Sequence, residues 1–523
     1  MRINLISILA RPVPSSSQAG DSEALRSGPW IWSITVLTAL LHLAVAGRYD
    51  IFRNELYFIV CGRHPDFGYV DQPPLVPLIA AATQAFGDNV WLLRLPAVIA
   101  AAALVPLCAA FARLIGGDRR AAIIAAVAAA IAPGLAALTS TLTTSTFEPI
   151  AWTLTAFLLA RAVLQERRFD LVVAGLVAGI AMEAKWGIAV WMVALALGVL
   201  ATPARRILAW HELWLGLAFA IVFSLPPLIW QWQNGWPFFD VILPHLDSQR
   251  NFTGTFWQFE WRQAAAMNIV LAPLWLAGAV APFIDSDMRK ARFLAIAFIV
   301  TTAFYYLTHG TNYYLFPVYP TMFAVGAVVC VRLSRWITRL WLAAALAVSA
   351  AVAPVVLPIL DPPALEHYLL WTHLRPPPYQ ASSVGAPLPH VFSDQLGWRA
   401  LEQNVAAVYR SLPDEEKPRA AIFATNYGEA AAIDVYGRAD GLPPALSSHN
   451  QYFLWGPRGA DGSVIIHING DPDRWRRICG TVDIAGHFGV AYAMPYETNR
   501  PIFICRGLRG GLAAIWDRLK RYR

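Results

Sequence analysis

Charge is what this chain has least of. Only 14% of its 523 residues are Asp, Glu, Lys or Arg, whereas 57% are hydrophobic. With a mean hydropathy of +0.46, that balance excludes an ordinary soluble globule and a disordered polar chain, and points to a polytopic membrane protein. Cysteine is also sparse, at five residues, which excludes a disulfide-dense secreted scaffold; zinc-ligand spacing is lacking as well. The sequence has no P-loop, no dinucleotide-binding glycine fingerprint, no nucleophile elbow and no internal repeat. Soluble nucleotide chemistry and solenoid arrays are thereby set aside. The net charge of +7 does not signal nucleic acid, because no Lys/Arg tract is interleaved with aromatics and much of the excess falls in short loops.

Apolar runs are abundant. Spans of about 20 residues begin near Trp30, Val90, Ala121, Pro149, Leu171, Gly187, Ile207, Ala264, Phe293, Tyr313 and Leu340, which predicts about eleven crossings. Basic clusters recur in alternate short loops, at residues 116–120, 165–170, 203–206, 285–292 and 332–339. By the positive-inside rule this predicts a cytoplasmic amino terminus, with the long loops and the carboxy-terminal region outside. Residues 1–28 read as a cytoplasmic tail, 29–360 as the membrane domain and 361–523 as an extracytoplasmic α/β domain. In the last of these AAIFAT, SVIIHI and PIFICR read as strands, and residues 398–412, 473–479 and 512–522 as helices. Cys108 and Cys330 fall in apolar spans. Cys479 and Cys505 lie outside, where a disulfide is chemically permitted, and Cys61 is left over. The Trp- and Phe-rich residues 231–263 suit a loop lying along the outer leaflet.

The few acids are concentrated. Asp50, Glu55, Asp66 and Asp71 crowd into residues 47–77, GRYDIFRNELYFIVCGRHPDFGYVDQPPLVP, between two membrane-length apolar runs. Carboxylates beside hydrocarbon are costly and functional by default. Glu55 suits a general base for an acceptor hydroxyl or a ligand of a divalent cation; the alternative is an ion pair with Arg53 or Arg63. Asp50, five residues earlier, does not stack on Glu55 as an i, i+4 partner would. Pro73 and Pro74 break helix and hold Asp71 in a turn, as a reactive carboxylate or as a turn cap. Glu148 precedes Pro149 and is expected at a helix N-cap, or else in catalysis. Lys185, with Trp186 and Glu183, interrupts apolar sequence either by snorkelling or to bind phosphate. His309, Asn312, Tyr313 and Tyr314 form HGTNYY, which suits sugar stacking and an interfacial aromatic belt equally.

These segments resemble bacterial members of glycosyltransferase family 39, the protein-mannosyltransferase-like branch of the GT-C enzymes. FRNELYF is similar to the family's FRDELYY element, with Asn54 in place of the first of its two acids. YVDQPPL resembles an acidic-x-PPL element, Phe147-Glu148-Pro149 an SMNAFEPLFW-like one, and TNYYLFPVYP the GKNYYLAPxYP element, with Thr311 in place of its basic residue. Residues 228–237 (LIWQWQNGWP), NYGEAAAIDVYG and SSHNQYFLWGPRG extend the similarity. The resemblance implies a mainly α polytopic GT-C fold with a small carboxy-terminal α/β domain, in the bacterial inner membrane. It implies inverting transfer of a sugar from a polyprenyl-phosphate donor to a lipid, glycan or protein acceptor. The expected catalytic residues are Glu55, Asp50, Asp71 and Glu148. Arg53, Asn54, Arg63, His64, Lys185, His309, Asn312, Tyr313 and Tyr314 are the expected substrate contacts, and Glu55 and Glu148 the candidates to hold a divalent cation. Because Asn54 cannot take a proton, base function passes to Asp50, Glu55 or Asp71. The alternatives are a non-catalytic lipid-sugar binding protein and a transporter or flippase of the same architecture.

Overall fold

The computed structural model describes residues 20–246, 252–376 and 384–522. They gather into two compact units. One comprises Met1–Ala46, Arg94–Leu228 and Asn251–Ile359; the other comprises Gly47–Leu93, Ile229–Arg250 and Leu360–Arg523. The first loop thus folds in the same unit as the carboxy-terminal domain. Of the expected tail, residues 1–19 lie outside the described residues, and the chain is helical from Gly20 to Ala46.

The first unit is helical because its Leu, Val, Ile and Ala runs satisfy their backbone polar groups internally, as a bilayer demands. Among the described residues, six helices are long and apolar enough to cross a membrane, or up to eight if each of two sharply bent pairs makes one span. This is a multi-pass membrane protein. The predicted spans near Ala121 and Leu171 fall on helices of only 13 and 14 residues, Arg119–Ile131 and Phe169–Met182. Continuous hydropathy therefore gave about eleven segments where length and composition support fewer. Close packing depends on glycine: a Cβ on Gly326 would lie 1.9 Å from the Leu274 carbonyl oxygen, and one on Gly278 2.4 Å from that of Met322. Helices Ala272–Ile284 and Tyr319–Cys330 can approach this closely only with bare backbone at those points. Elsewhere Trp152 and Trp191 stack at 6.0 Å, and the Trp191 indole donates to the Trp152 carbonyl.

In the second unit a five-stranded sheet has the order β2-β1-β3-β5-β4. Its strands are β1 (Ala420–Ala424), β2 (Ala445–Ser447), β3 (Val464–Ile468), β4 (Thr481–Phe488) and β5 (Arg500–Arg506). β1 lies parallel between β2 and β3, while β5 runs antiparallel to both β3 and β4. β1 and β3 are buried along their whole length, which explains their unbroken apolar sequences. Cys479 and Cys505 are joined as a disulfide, and Cys61, Cys108 and Cys330 are free and buried. Helix Arg53–Arg63 from the first loop packs against helix Tyr427–Tyr436, which follows β1. Gly428 permits that approach, since a Cβ there would sit 2.4 Å from Cγ of Arg53.

Candidate functional site

The acid-rich first loop is held by hydrogen bonds from the carboxy-terminal domain. Helix Arg53–Arg63 begins with the Phe52 N–H donating to Glu55 Oε2 at 2.8 Å, so this fully buried carboxylate serves as a helix cap. Arg53 pairs with Asp394 at 3.3 Å, donates to Tyr496 and lies over the Tyr427 and Tyr496 rings, while Arg63 pairs with Asp88 and donates to the Asp434 carbonyl. Burial opposes ionisation of Asp394, yet Arg53 and His390 hold its carboxyl below the ordinary range. Asp50 accepts from Tyr436 at 3.0 Å and pairs with Arg399 at 3.3 Å. Asn54 accepts from the Tyr427 hydroxyl at 2.8 Å, and His64 lies against Trp455.

Asp71 differs from its neighbours. Two uncharged donors reach its carboxylate, the Tyr57 hydroxyl at 3.0 Å on Oδ1 and the Asn450 amide at 3.0 Å on Oδ2. Burial pushes its pKa up to about 6, against the downward pull of those hydrogen bonds. The preceding residues are pinned on both sides. Trp230 donates to Asp66 at 2.7 Å, Tyr69 donates to the Cys61 carbonyl, and the Val70 N–H donates to Gln451.

In the helical unit, Lys185 Nζ lies 2.8 Å from Glu148 Oε2 and donates to Ser145 Oγ at 2.8 Å. It also stands 5.0 Å from the Tyr313 ring centre and 4.6 Å from that of Tyr314. Glu148 is the first residue of helix Glu148–Gln165, one position inside the expected N-cap, and its carboxylate serves Lys185 rather than the backbone. Gly187 makes room: a Cβ there would meet Glu148 Oε1 at 2.5 Å. Three sequence segments are thus brought to one cation. Asn312 instead accepts from Gln263 at 2.6 Å, and the His309 ring meets the Phe252 carbonyl at 2.8 Å.

Among the described residues, no group of three or more His, Cys, Asp or Glu side chains is disposed to hold a metal ion. Glu55 is engaged by a backbone N–H and Glu148 by Lys185, so the residues present do not fit the expected divalent cation. Sequence reasoning missed Asp394, Tyr496 and Ser145, which carry no motif and join these clusters only through folding. Glu429 and Glu497 are a buried, hydrogen-bonded carboxyl pair, both pushed up by burial, with Glu429 raising Glu497 further.

The description of the dolichyl-phosphate-mannose-protein mannosyltransferase family matches residues 71–230. No curated protein matches the chain in sequence. Among solved structures, ArnT from Cupriavidus metallidurans in the apo state has a TM-score of 0.62 at 15% identity, over 92% of this chain and 98% of its own. The same protein bound to undecaprenyl phosphate has a TM-score of 0.59 at 15% identity, over 91% of this chain and 98% of its own. This chain resembles the protein-mannosyltransferase-like GT-C glycosyltransferases in sequence over residues 71–230, and it shares the ArnT fold over 92% of its length.

Proposed function

We propose that this protein is a membrane glycosyltransferase that moves a sugar from a polyprenyl-phosphate donor to an acceptor hydroxyl on the outer side of a bacterial inner membrane. The observation that carries the reading is the environment of Lys185, a cation set against Glu148 and over two tyrosine faces in the helical unit. The fold it shares with a protein seen bound to undecaprenyl phosphate supports the donor class. Transfer forms a bond from the acceptor oxygen to the anomeric carbon and breaks the bond from that carbon to the phosphate oxygen. The polyprenyl phosphate leaves with the bonding electrons, and the acceptor proton must go to a base. Lys185 meets the leaving phosphate's charge, and Tyr313 and Tyr314 supply stacking faces for a sugar.

Among the carboxylates of its own unit, Asp71 is the one this reading takes as the base. Its pKa of about 6 leaves it ionised near neutrality yet basic enough to take a proton, whereas Glu55 is committed to the Phe52 N–H and Asp50 to Arg399. The donor's prenyl chain lies in the bilayer, the amino terminus is cytoplasmic, and residues 361–523 form an extracytoplasmic domain. Purified full-length protein in lipid vesicles, given a panel of radiolabelled polyprenyl-phosphate sugars and an envelope extract, is expected to pass label from one donor into an acceptor. Failure with every donor, from protein that is folded and binds polyprenyl phosphate, would overturn transfer in favour of a binding role.

A further inference from the structure

Asp71 owes its position to residues far away in sequence. Asn450 and Gln451 follow β2, and Gln451 opens the short helix Gln451–Trp455. The Asn450 amide donates to Asp71 Oδ2 at 3.0 Å. The Gln451 N–H donates to the Tyr57 hydroxyl oxygen at 3.1 Å, and that hydroxyl in turn donates to Asp71 Oδ1 at 3.0 Å. The Gln451 side-chain oxygen accepts from the Val70 N–H at 3.1 Å, which fixes the backbone one residue before Asp71. Both carboxylate oxygens, and the chain that carries them, are therefore oriented by one dipeptide.

The backbone at Asn450 supports a dedicated arrangement. Its φ of 49° and ψ of −130° lie where side chains are rarely tolerated. The Asn450 N–H is anchored to the Arg521 carbonyl at 3.0 Å, tying the turn to the end of the chain. Strain of this kind persists only where surrounding contacts over-determine it. Here those contacts aim an amide at a carboxylate.

We propose that Asn450 and Gln451 are positioning residues for Asp71, so that the carboxy-terminal domain completes the reactive loop rather than serving as an accessory. The proposal deepens the reading of Asp71 as base and rests on it. Tyr57 and Cys61, both from helix Arg53–Arg63, are the titratable groups facing Asp71, and burial together with the Asp71 charge keeps each of them neutral. Asn450 and Gln451 carry no charge. The Asn450 amide favours the ionised carboxylate, so its removal raises the proton affinity of Asp71.

The test is an infrared difference titration of the full-length protein in vesicles, following the protonated-carboxyl band that disappears in Asp71→Asn. Asn450→Gly removes the amide while suiting the positive φ. It is expected to move the midpoint of this band upward by about one pH unit. Asn450→Asp keeps the shape, should move it further through like-charge repulsion, and serves if the glycine variant does not fold. An unmoved midpoint in a folded variant overturns the proposal. The pH dependence of sugar transfer is recorded alongside. If the band moves and the acid limb of transfer moves with it, both readings stand. If the band moves while the limb does not, positioning stands and Asp71 fails as the base.

Discussion

Glu429 and Glu497 each hold a proton more tightly than an ordinary glutamate does. Burial raises both, and Glu429 raises Glu497 further, while Asn469 donates to Glu429 and Asn426 to Glu497. The native state therefore binds more protons than the unfolded chain, so stability is greatest below the ordinary glutamate range and falls as pH rises through the raised folded value. Glu497→Gln removes the ionisation and keeps a hydrogen-bonding side chain. It should raise the apparent melting temperature more at pH 8 than at pH 5, by an amount corresponding to about 1–3 kcal/mol. Equal effects at both pH values would show that the pair is not proton-linked. For Lys185 the proposed role concerns charge, so Lys185→Met should reduce transfer by about 100-fold or more. Lys185→Arg should retain part of it, and near-normal transfer by the methionine variant would remove Lys185 from the phosphate role. Asp71→Asn should lower kcat by about 100- to 10,000-fold. The acid limb of the native pH profile should fall near the Asp71 value of about 6, with activity lost as pH drops through it.

Among the elements, the legible ones were those whose sequence repeats a single environment. β1 and β3 are apolar throughout because each is buried along its length, and β5 is nearly so. β4, TVDIAGHF, is mostly exposed and mixes polar with apolar residues, and β2 spans only three residues. Neither offers a period to read. Motif segments in the first loop and near Glu148 were visible as charge in apolar sequence, but their partners were not. Asn450 lies 379 residues from Asp71, and Tyr427 lies 373 residues from Asn54. Only the folded chain makes them neighbours. Glycine in the helical unit shows the same limit, since Gly326 looks like any small residue until the Leu274 carbonyl is found 1.9 Å from its missing Cβ. Gly326→Val should force apart helices Ala272–Ile284 and Tyr319–Cys330, at a cost of about 1–3 kcal/mol or more. A thermal-shift measurement in detergent checks this; an unchanged midpoint would mean that the pair can separate freely.

At the scale of the whole chain, the division into units cuts across sequence order. Residues 47–93 belong with residues 360–523 and not with the apolar helices that flank them along the chain. Their polar groups are satisfied from that partner: Arg53 by Asp394 and Tyr496, Asp50 by Tyr436 and Arg399, Asn54 by Tyr427 and Asp71 by Asn450. A chain ended after residue 359 would keep every described helix long and apolar enough to cross a membrane, yet it would leave these side chains without their partners. Burying or exposing them unpaired is costly, since a stranded buried polar group loses about 1–3 kcal/mol. The truncated protein should therefore still insert into membranes, while the first loop becomes open to proteolysis and sugar transfer is lost. Limited proteolysis with mass spectrometry, on truncated and full-length protein in matched vesicles, reads this directly. Cleavage within residues 47–77 should rise sharply on truncation, and equal protection in the two forms would mean that the loop holds its shape without the carboxy-terminal domain.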